Sequence, residues 1–115
     1  MVDVPADRFE ELVADALDAI PEQLGRLMDN VAVFVREGSE GSHLLGRYEG
    51  IPLTERDRGY EGMVMPDRIS IFRRPILAIC RTEAEVVDQI RITVVHEVAH
   101  HFGIDDERLD ELGWA

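Results

Sequence analysis

The chain has 115 residues, of which 45% are hydrophobic and 31% are charged. This length and this balance predict a single globular domain over residues 1–115 and exclude a disordered polypeptide. The formal net charge is −12, and all 12 basic residues are arginine. Because an acidic surface repels phosphate groups and anionic lipids, we expect neither a nucleic acid nor a membrane surface as a partner.

Two further observations indicate a reducing, cytoplasmic environment. Residues 1–5 contain neither the basic nor the apolar region of a secretory signal, and no apolar run approaches the length of a membrane span. The single cysteine, Cys80, cannot form an internal disulfide. It lies in the apolar run of residues 76–80, which favours a buried structural thiol over a reactive one. We therefore expect a cytoplasmic protein.

The first part of the chain predicts helices. Apolar residues recur at helical spacing over about residues 6–19, which predicts an amphipathic helix packed on a sheet. Pro21 ends this helix, because proline lacks the backbone N–H that the next turn needs. A second, short helical turn is predicted over residues 22–28, and Asn30 closes it.

Three segments in the middle of the chain predict β-strands. Val31–Arg36 is apolar, β-branched and bounded by turn residues, which indicates a buried strand. Residues 44–50 predict a second strand, in which Gly46 indicates either a bulge or a close approach of neighbouring backbone. The charged, glycine-bearing residues 54–62 predict a mobile loop near a cleft. Residues 67–72 predict a further strand.

The last third of the chain predicts a long helix followed by a short one. Thr82 and Glu85 have the spacing of a capping box, in which the two residues satisfy orphan backbone donors at a helix start. The long helix is therefore predicted over residues 83–102. A final helical turn is predicted over residues 107–112, with Trp114 docking on the core.

The long predicted helix carries the residues that can perform chemistry. His96 and His100 are four residues apart, so both imidazoles lie on one helix face and can bind the same metal ion. Glu97 stands beside them as a general base for a metal-bound water. Gly103 can take the left-handed conformation that ends the helix, and the turn can bring Asp106 back as the third ligand.

Neighbouring acidic residues are alternatives to Asp106. Asp105 or Glu107 could bind the metal after a slightly different turn, and all three could instead form a solvated acidic surface. Asp105 or Asp110 could also orient an imidazole through its other ring nitrogen. We favour Asp106 as the third ligand.

Other residues near the motif have structural interpretations. His101 lies about 100° around the helix from His100, so it cannot easily bind the same ion. A hydrogen bond at the edge of the core is favoured over a role in orienting a metal ligand or in carrying a proton. Tyr48 and Tyr60 could in principle stabilise an oxyanion, but packing is the favoured role because no motif places either near the metal. His43, in a glycine- and serine-rich loop, is expected to be solvated.

The pattern His96-Glu97-x-x-His100-x-x-Gly103-x-x-Asp106 resembles the metzincin form of the zincin active site, in the variant with aspartate as the third ligand. In a chain of this composition the extended pattern is expected by chance only about 10⁻⁴ times. With a doubled histidine and a small size, the chain is similar to the bacterial minimal zincin-like metallopeptidase domains. The resemblance implies an α+β zincin-like fold. This fold has a small twisted mixed β-sheet, an N-terminal helix, a C-terminal HExxH active-site helix and an edge strand bordering the cleft.

The resemblance also implies one Zn²⁺ per chain and metallopeptidase activity on a peptide or protein substrate. The predicted metal ligands are His96, His100 and Asp106, and the predicted general base and acid is Glu97. The alternative is a zinc-binding structural or regulatory domain with little or no proteolytic activity. It is favoured by the absence of methionine from residues 107–115, because metzincins carry a methionine-containing turn after the third ligand. Three protein ligands rather than four favour the catalytic interpretation.

A third interpretation is an interaction module that binds no metal, which requires the extended pattern to be accidental. The sequence predicts no particular oligomeric state.

Overall fold

The computed structural model describes residues 1–50 and 66–114. Within these ranges the chain forms five helices and three strands. In chain order they are α1 (Ala6–Asp18), α2 (Glu22–Leu27), β1 (Val31–Arg36), β2 (Gly46–Glu49), β3 (Asp67–Phe72), α3 (Arg73–Ile79), α4 (Glu83–His101) and α5 (Asp106–Leu112). No helix in the described part of the chain has the length and apolar character needed to cross a bilayer. The loop predicted over residues 54–62 lies outside the described residues.

The sheet is small and mixed, as predicted. Its strand order is β1-β3-β2, with β1 parallel to β3 and β2 antiparallel to β3. The register aligns Val33 and Tyr48 with Ile69 in the central strand. Because side chains alternate between the two faces of a strand, these three residues share one face of the sheet. β2 is shorter than predicted and lies at one edge of the described sheet.

The long helix α4 packs on the sheet, and α1, for which the sequence predicts packing on a sheet, packs mainly on α4. α1 and α4 pack against each other, and α4 also packs against β2 and β3. Most of the predicted apolar stripe of residues 6–19 is buried, whereas Leu17 is partly buried, and the core also takes residues from α4 and β3. Cys80 is buried, as predicted, and its burial raises the pKa of the thiol. Trp114 is partly buried against the core.

The start of α4 forms a modified capping box. The Thr82 hydroxyl accepts a hydrogen bond from the Glu85 N–H at 3.1 Å, as the spacing predicts. The Glu85 carboxylate accepts from the Arg81 N–H at 3.1 Å, one residue before the position that a standard box would use. Both bonds satisfy backbone donors, so the helix begins at residue 83 as predicted.

An ion pair connects the starts of α1 and α4. The Arg8 guanidinium donates to both carboxylate oxygens of Glu83, at 2.9 Å from Nη2 to Oε1 and 3.2 Å from Nε to Oε2. This hydrogen bonding lowers the pKa of the Glu83 carboxyl below its usual range. The two residues are 75 positions apart in sequence, so the pair joins elements that local interactions cannot hold together.

Gly46 is a point of close approach between β2 and α4. A Cβ atom at this position would lie 2.5 Å from Cγ2 of Thr93 and 3.2 Å from the Ser70 carbonyl oxygen. The predicted close approach is therefore confirmed, although its nearest atom belongs to a side chain of α4. Only glycine allows β2 to lie this close to the helix.

Candidate metal and catalytic site

The C-terminal half of α4 presents the two motif histidines together. The rings of His96 and His100 have centroids 5.9 Å apart and planes inclined by 22°. Val94, Val95 and Val98 point into the core and are fully buried. Packing of these apolar residues fixes the helix so that the imidazoles face outward, with His96 half-buried and His100 exposed.

The turn after α4 is a Schellman motif centred on Gly103. Its φ of 79° is in the left-handed region that favours glycine. The Ile104 N–H donates to the Ala99 carbonyl at 2.8 Å, and the Gly103 N–H donates to the His100 carbonyl at 3.1 Å. These two bonds satisfy the last helical carbonyls and reverse the chain. The predicted helix stop at Gly103 is confirmed.

The reversed chain brings Asp106 to His100. The Oδ1 atom of Asp106 lies 2.9 Å from Nε2 of His100. The neighbouring Asp105 has a different role, because its carboxylate accepts a hydrogen bond from the Arg108 N–H at 2.9 Å and caps α5. α5 consequently begins at residue 106, one residue earlier than predicted. Of the two adjacent aspartates, the structure places the side chain of Asp106 beside the motif histidine.

Glu97 contacts the edge strand. Its Oε1 atom accepts a hydrogen bond from the Tyr48 backbone N–H at 3.2 Å. The Leu45 carbonyl accepts a hydrogen bond from the Phe72 N–H at 2.9 Å, so the backbone groups of Leu45 point towards β3. Backbone groups of successive residues in a strand point to opposite sides, so the N–H of Tyr48, three residues later, points away from β3. A backbone donor has no side-chain signature in the sequence, and sequence reasoning missed this contact.

Tyr48, Asp67 and His101 form a side-chain cluster next to Glu97. The Tyr48 hydroxyl donates to Oδ2 of Asp67 at 2.7 Å. The rings of Tyr48 and His101 are stacked, with centroids 3.9 Å apart and planes inclined by 21°. The predicted packing role of Tyr48 is confirmed. Tyr60 lies outside the described residues.

The structure corrects the expected contact of His101. Its Nε2 atom is 3.8 Å from Oδ2 of Asp67, which is beyond hydrogen-bond length, so the ring is held by stacking. The sequence predicts Asp67 only as the first residue of a strand. Its role in the cluster depends on the pairing of β3 with β2, which no local pattern reveals.

A shallow pocket of about 200 Å³ adjoins the motif. Its walls are formed by residues of the β2 end and of α4, among them Leu44, Gly46, Ile92, Thr93 and Glu97. The pocket therefore offers apolar surface directly beside the candidate general base.

The donor set can be compared with the needs of a metal ion. Among residues 1–50 and 66–114, no three His, Cys, Asp or Glu side chains converge closely enough to hold one. The pair His100 and Asp106 is already in contact, and His96 lies one helical turn before His100 on the same face. Two imidazoles and a carboxylate are a donor set that suits Zn²⁺ with an open position. The chemistry of the donors therefore fits zinc.

Comparisons with known protein families and solved structures bear on the fold and the family. The family model for zincin-like metallopeptidases matches residues 28–114, which include every element from β1 to α5. A solved structure of a conserved hypothetical protein from Thermo thermophilus is 24% identical, with a TM-score of 0.53 over 95% of this chain and 97% of that chain. At this identity the likeness is one of fold alone. No protein among those with curated annotation matches. The extent of the family match confirms the α+β zincin-like fold, and the chain belongs to the zincin-like metallopeptidase family.

Proposed function

We propose that this protein is a zinc-dependent peptidase in which His96, His100 and Asp106 bind the metal and Glu97 transfers protons. The observation that carries the proposal is the 2.9 Å contact between Nε2 of His100 and Oδ1 of Asp106. The Schellman turn at Gly103 creates this contact across six sequence positions. The contact supports Asp106 as the third ligand, since Asp105 is engaged in capping α5.

Zinc bound by these three residues would acidify a coordinated water and polarise a substrate carbonyl. Glu97 would accept the proton from this water and pass it to the leaving amine. Its half-buried position against β2 supports this role, because the Tyr48 N–H fixes Oε1 and no other hydrogen bond to this carboxylate is made within residues 1–50 and 66–114. The helix places Glu97 one residue from His96, so the base and the ligands share one end of α4.

The adjoining pocket supports a preference for an apolar substrate side chain. Its volume of about 200 Å³ suits one medium-sized side chain, and Leu44 and Ile92 supply apolar contacts. Gln89 and Thr93 supply polar groups at its wall. We expect cleavage next to an aliphatic residue and poor cleavage next to acidic residues, because the protein carries a net charge of −12.

Metal content tests the ligand set. Protein purified without chelators is expected to hold about one zinc per chain, the occupancy of a catalytic site with three protein ligands. His96→Ala and Asp106→Ala are expected to lose it. Glu107→Ala is the matched control, because it removes a neighbouring carboxylate in the first turn of α5. If Asp106→Ala retained zinc and Glu107→Ala lost it, the third ligand would be Glu107 and not Asp106.

Peptide cleavage tests the reaction. The wild-type protein is expected to hydrolyse members of a fluorogenic peptide library. Glu97→Gln is expected to keep zinc and to lose about 10²- to 10⁴-fold in turnover, the usual contribution of general acid–base catalysis. A cleavage activity that Glu97→Gln leaves unchanged would belong to a contaminant or to another site.

A zinc-binding structural or regulatory domain is the second candidate. It is favoured by the small pocket beside Glu97, whose volume of about 200 Å³ offers few contacts to a peptide longer than one side chain. Stoichiometric zinc, no cleavage of any library peptide and a fourth protein ligand in the zinc absorption spectrum would establish this role instead.

A further inference from the structure

Two rows of side chains leave the end of α4 on neighbouring faces. His96 and His100 form the first row. Glu97 and His101, also four residues apart, form the second row one position further around the helix. Both members of the second row contact Tyr48: its N–H donates to Glu97, and its ring stacks on His101. The doubled histidine of the motif therefore serves two different faces of one helix.

The Tyr48 side chain is held from two other elements. Asp67, the first residue of β3, accepts its hydroxyl hydrogen bond at 2.7 Å. The Asp67 side chain is only 12% exposed, so this charge-assisted bond is sheltered from competing water. His101, the last residue of α4, lies against the ring at a centroid distance of 3.9 Å. Elements β2, β3 and α4 thus meet at one tyrosine.

The strand that carries Tyr48 needs such support. β2 has four residues and, among the described strands, pairs only with β3. Short edge strands open more readily than strands inside a sheet. The Tyr48 N–H faces α4 and so takes no part in the β2–β3 ladder. The β2–β3 ladder therefore does not hold this N–H directly, and the contacts of the Tyr48 side chain, together with the close approach at Gly46, bear on its distance from the helix.

We propose that Tyr48, Asp67 and His101 form a positioning clamp that holds the Tyr48 N–H on the carboxylate of Glu97. A glutamate side chain has three rotatable bonds, and a fixed donor restricts one carboxylate oxygen to one place. The clamp residues are expected to act through Glu97 rather than by contact with a substrate. Their catalytic consequence rests on the proposed function, whereas the clamp itself can be tested without any activity.

The first test measures amide hydrogen exchange of the full chain by NMR. The Tyr48 amide is expected to be protected in the wild-type protein. Its exchange should become about tenfold faster in His101→Ala and in Tyr48→Phe, the factor expected for weakening one bond to a charged group. His101→Phe keeps a stacked ring and should restore protection. His43→Ala, which removes a histidine from the loop before β2, is the matched control.

Exchange of the central strand separates the clamp from general destabilisation. The amides of Ile69 and Ile71 face β1, because the Asp67 N–H donates on that side and the direction alternates along the strand. They should keep wild-type protection in every clamp variant, since a local opening of β2 leaves the β1–β3 ladder intact. An unprotected Tyr48 amide in the wild-type protein would overturn the proposal. So would equal protection in all variants, or a loss of protection that the β1-facing amides of Ile69 and Ile71 share to the same extent.

The second test measures hydrolysis by zinc-loaded protein. His101→Ala is expected to lower kcat by up to about 100-fold at unchanged KM and zinc content, and His101→Phe should restore it. Altered Tyr48 exchange with unaltered kcat would overturn the positioning role. If the wild-type protein cleaves nothing, the proposed function fails, and the exchange experiment still decides whether the clamp exists.

Discussion

At the scale of single residues, two adjacent aspartates have different partners. Asp105 caps α5 through the Arg108 N–H, and Asp106 contacts His100. The sequence predicts that one acid near this position returns to the helix, and its spacing favours Asp106. The sequence does not show that Asp105 caps a helix while Asp106 contacts the histidine. The reason is that a cap depends on where the next helix begins, and the predicted boundary lies one residue late.

The two aspartates should therefore respond differently to substitution. Asp105→Ala is expected to lower the free energy of unfolding by about 0.5–2 kcal/mol, the usual contribution of an N-cap, and to retain zinc. Asp106→Ala is expected to lose zinc while the metal-free protein keeps wild-type stability, because its side chain is exposed. Urea unfolding in chelator and zinc titration measure the two effects. Loss of zinc in Asp105→Ala, with zinc retained in Asp106→Ala, would make Asp105 the ligand.

At the scale of elements, the site depends on the spacing between β2 and α4. Gly46 permits this spacing, because a Cβ atom at this position would point at the Thr93 side chain. Thr93 is buried and β-branched, so its methyl group cannot move aside easily. Any side chain at position 46 must push the strand away from the helix. The Tyr48 N–H would then move away from Glu97 as well.

Gly46→Ala should consequently cost about 1–3 kcal/mol of unfolding free energy, as overpacking does. Thr93→Ser removes the opposing Cγ2 and keeps the hydroxyl that accepts from Gln89. The double variant Gly46→Ala/Thr93→Ser should recover part of the loss. Urea unfolding of the four proteins gives the coupling free energy.

Gly25→Ala is the matched control for this cycle. Gly25 lies in α2, and a Cβ there would meet nothing within 4 Å. Alanine should stabilise this helix by about 0.5–1 kcal/mol. Additive effects of the Gly46 and Thr93 substitutions would show that the close approach of β2 to α4 is not a real constraint.

At the scale of the whole molecule, local signals predict more of the fold than of the site. Helix periodicity, the Thr82 cap and the Gly103 stop all act within a few residues, and the structure confirms each. The mixed strand order and the contacts of Tyr48 with Asp67 and Glu97 join distant parts of the chain. Such contacts are set by packing of complete elements, so no local pattern could indicate them. The candidate zinc ligands could be proposed from the sequence because they lie within eleven residues of one another.

The acidity of the whole chain bears on its stability in acid. With a net charge of −12, each neutralised carboxylate relieves some mutual repulsion. Glu83 is an exception, because hydrogen bonds from Arg8 lower the pKa of its carboxyl and favour its charged form in the folded state. A carboxyl with a lowered folded-state pKa stabilises the protein above its unfolded-state pKa of about 4.3. This contribution is lost as the pH falls through the lower, folded-state value.

Glu83→Gln should therefore be less stable than Glu22→Gln at pH 7, and the difference should shrink towards pH 3. Both variants remove one negative charge, but Glu22 pairs with Arg26 inside α2, whereas Glu83 joins α4 to Arg8 of α1. The difference in stability between these two variants removes the general effect of losing one charge and leaves the contribution of the Arg8–Glu83 ion pair. Urea midpoints at a series of pH values measure it. A constant difference across that series would show that the Arg8–Glu83 pair contributes through packing rather than through its charge.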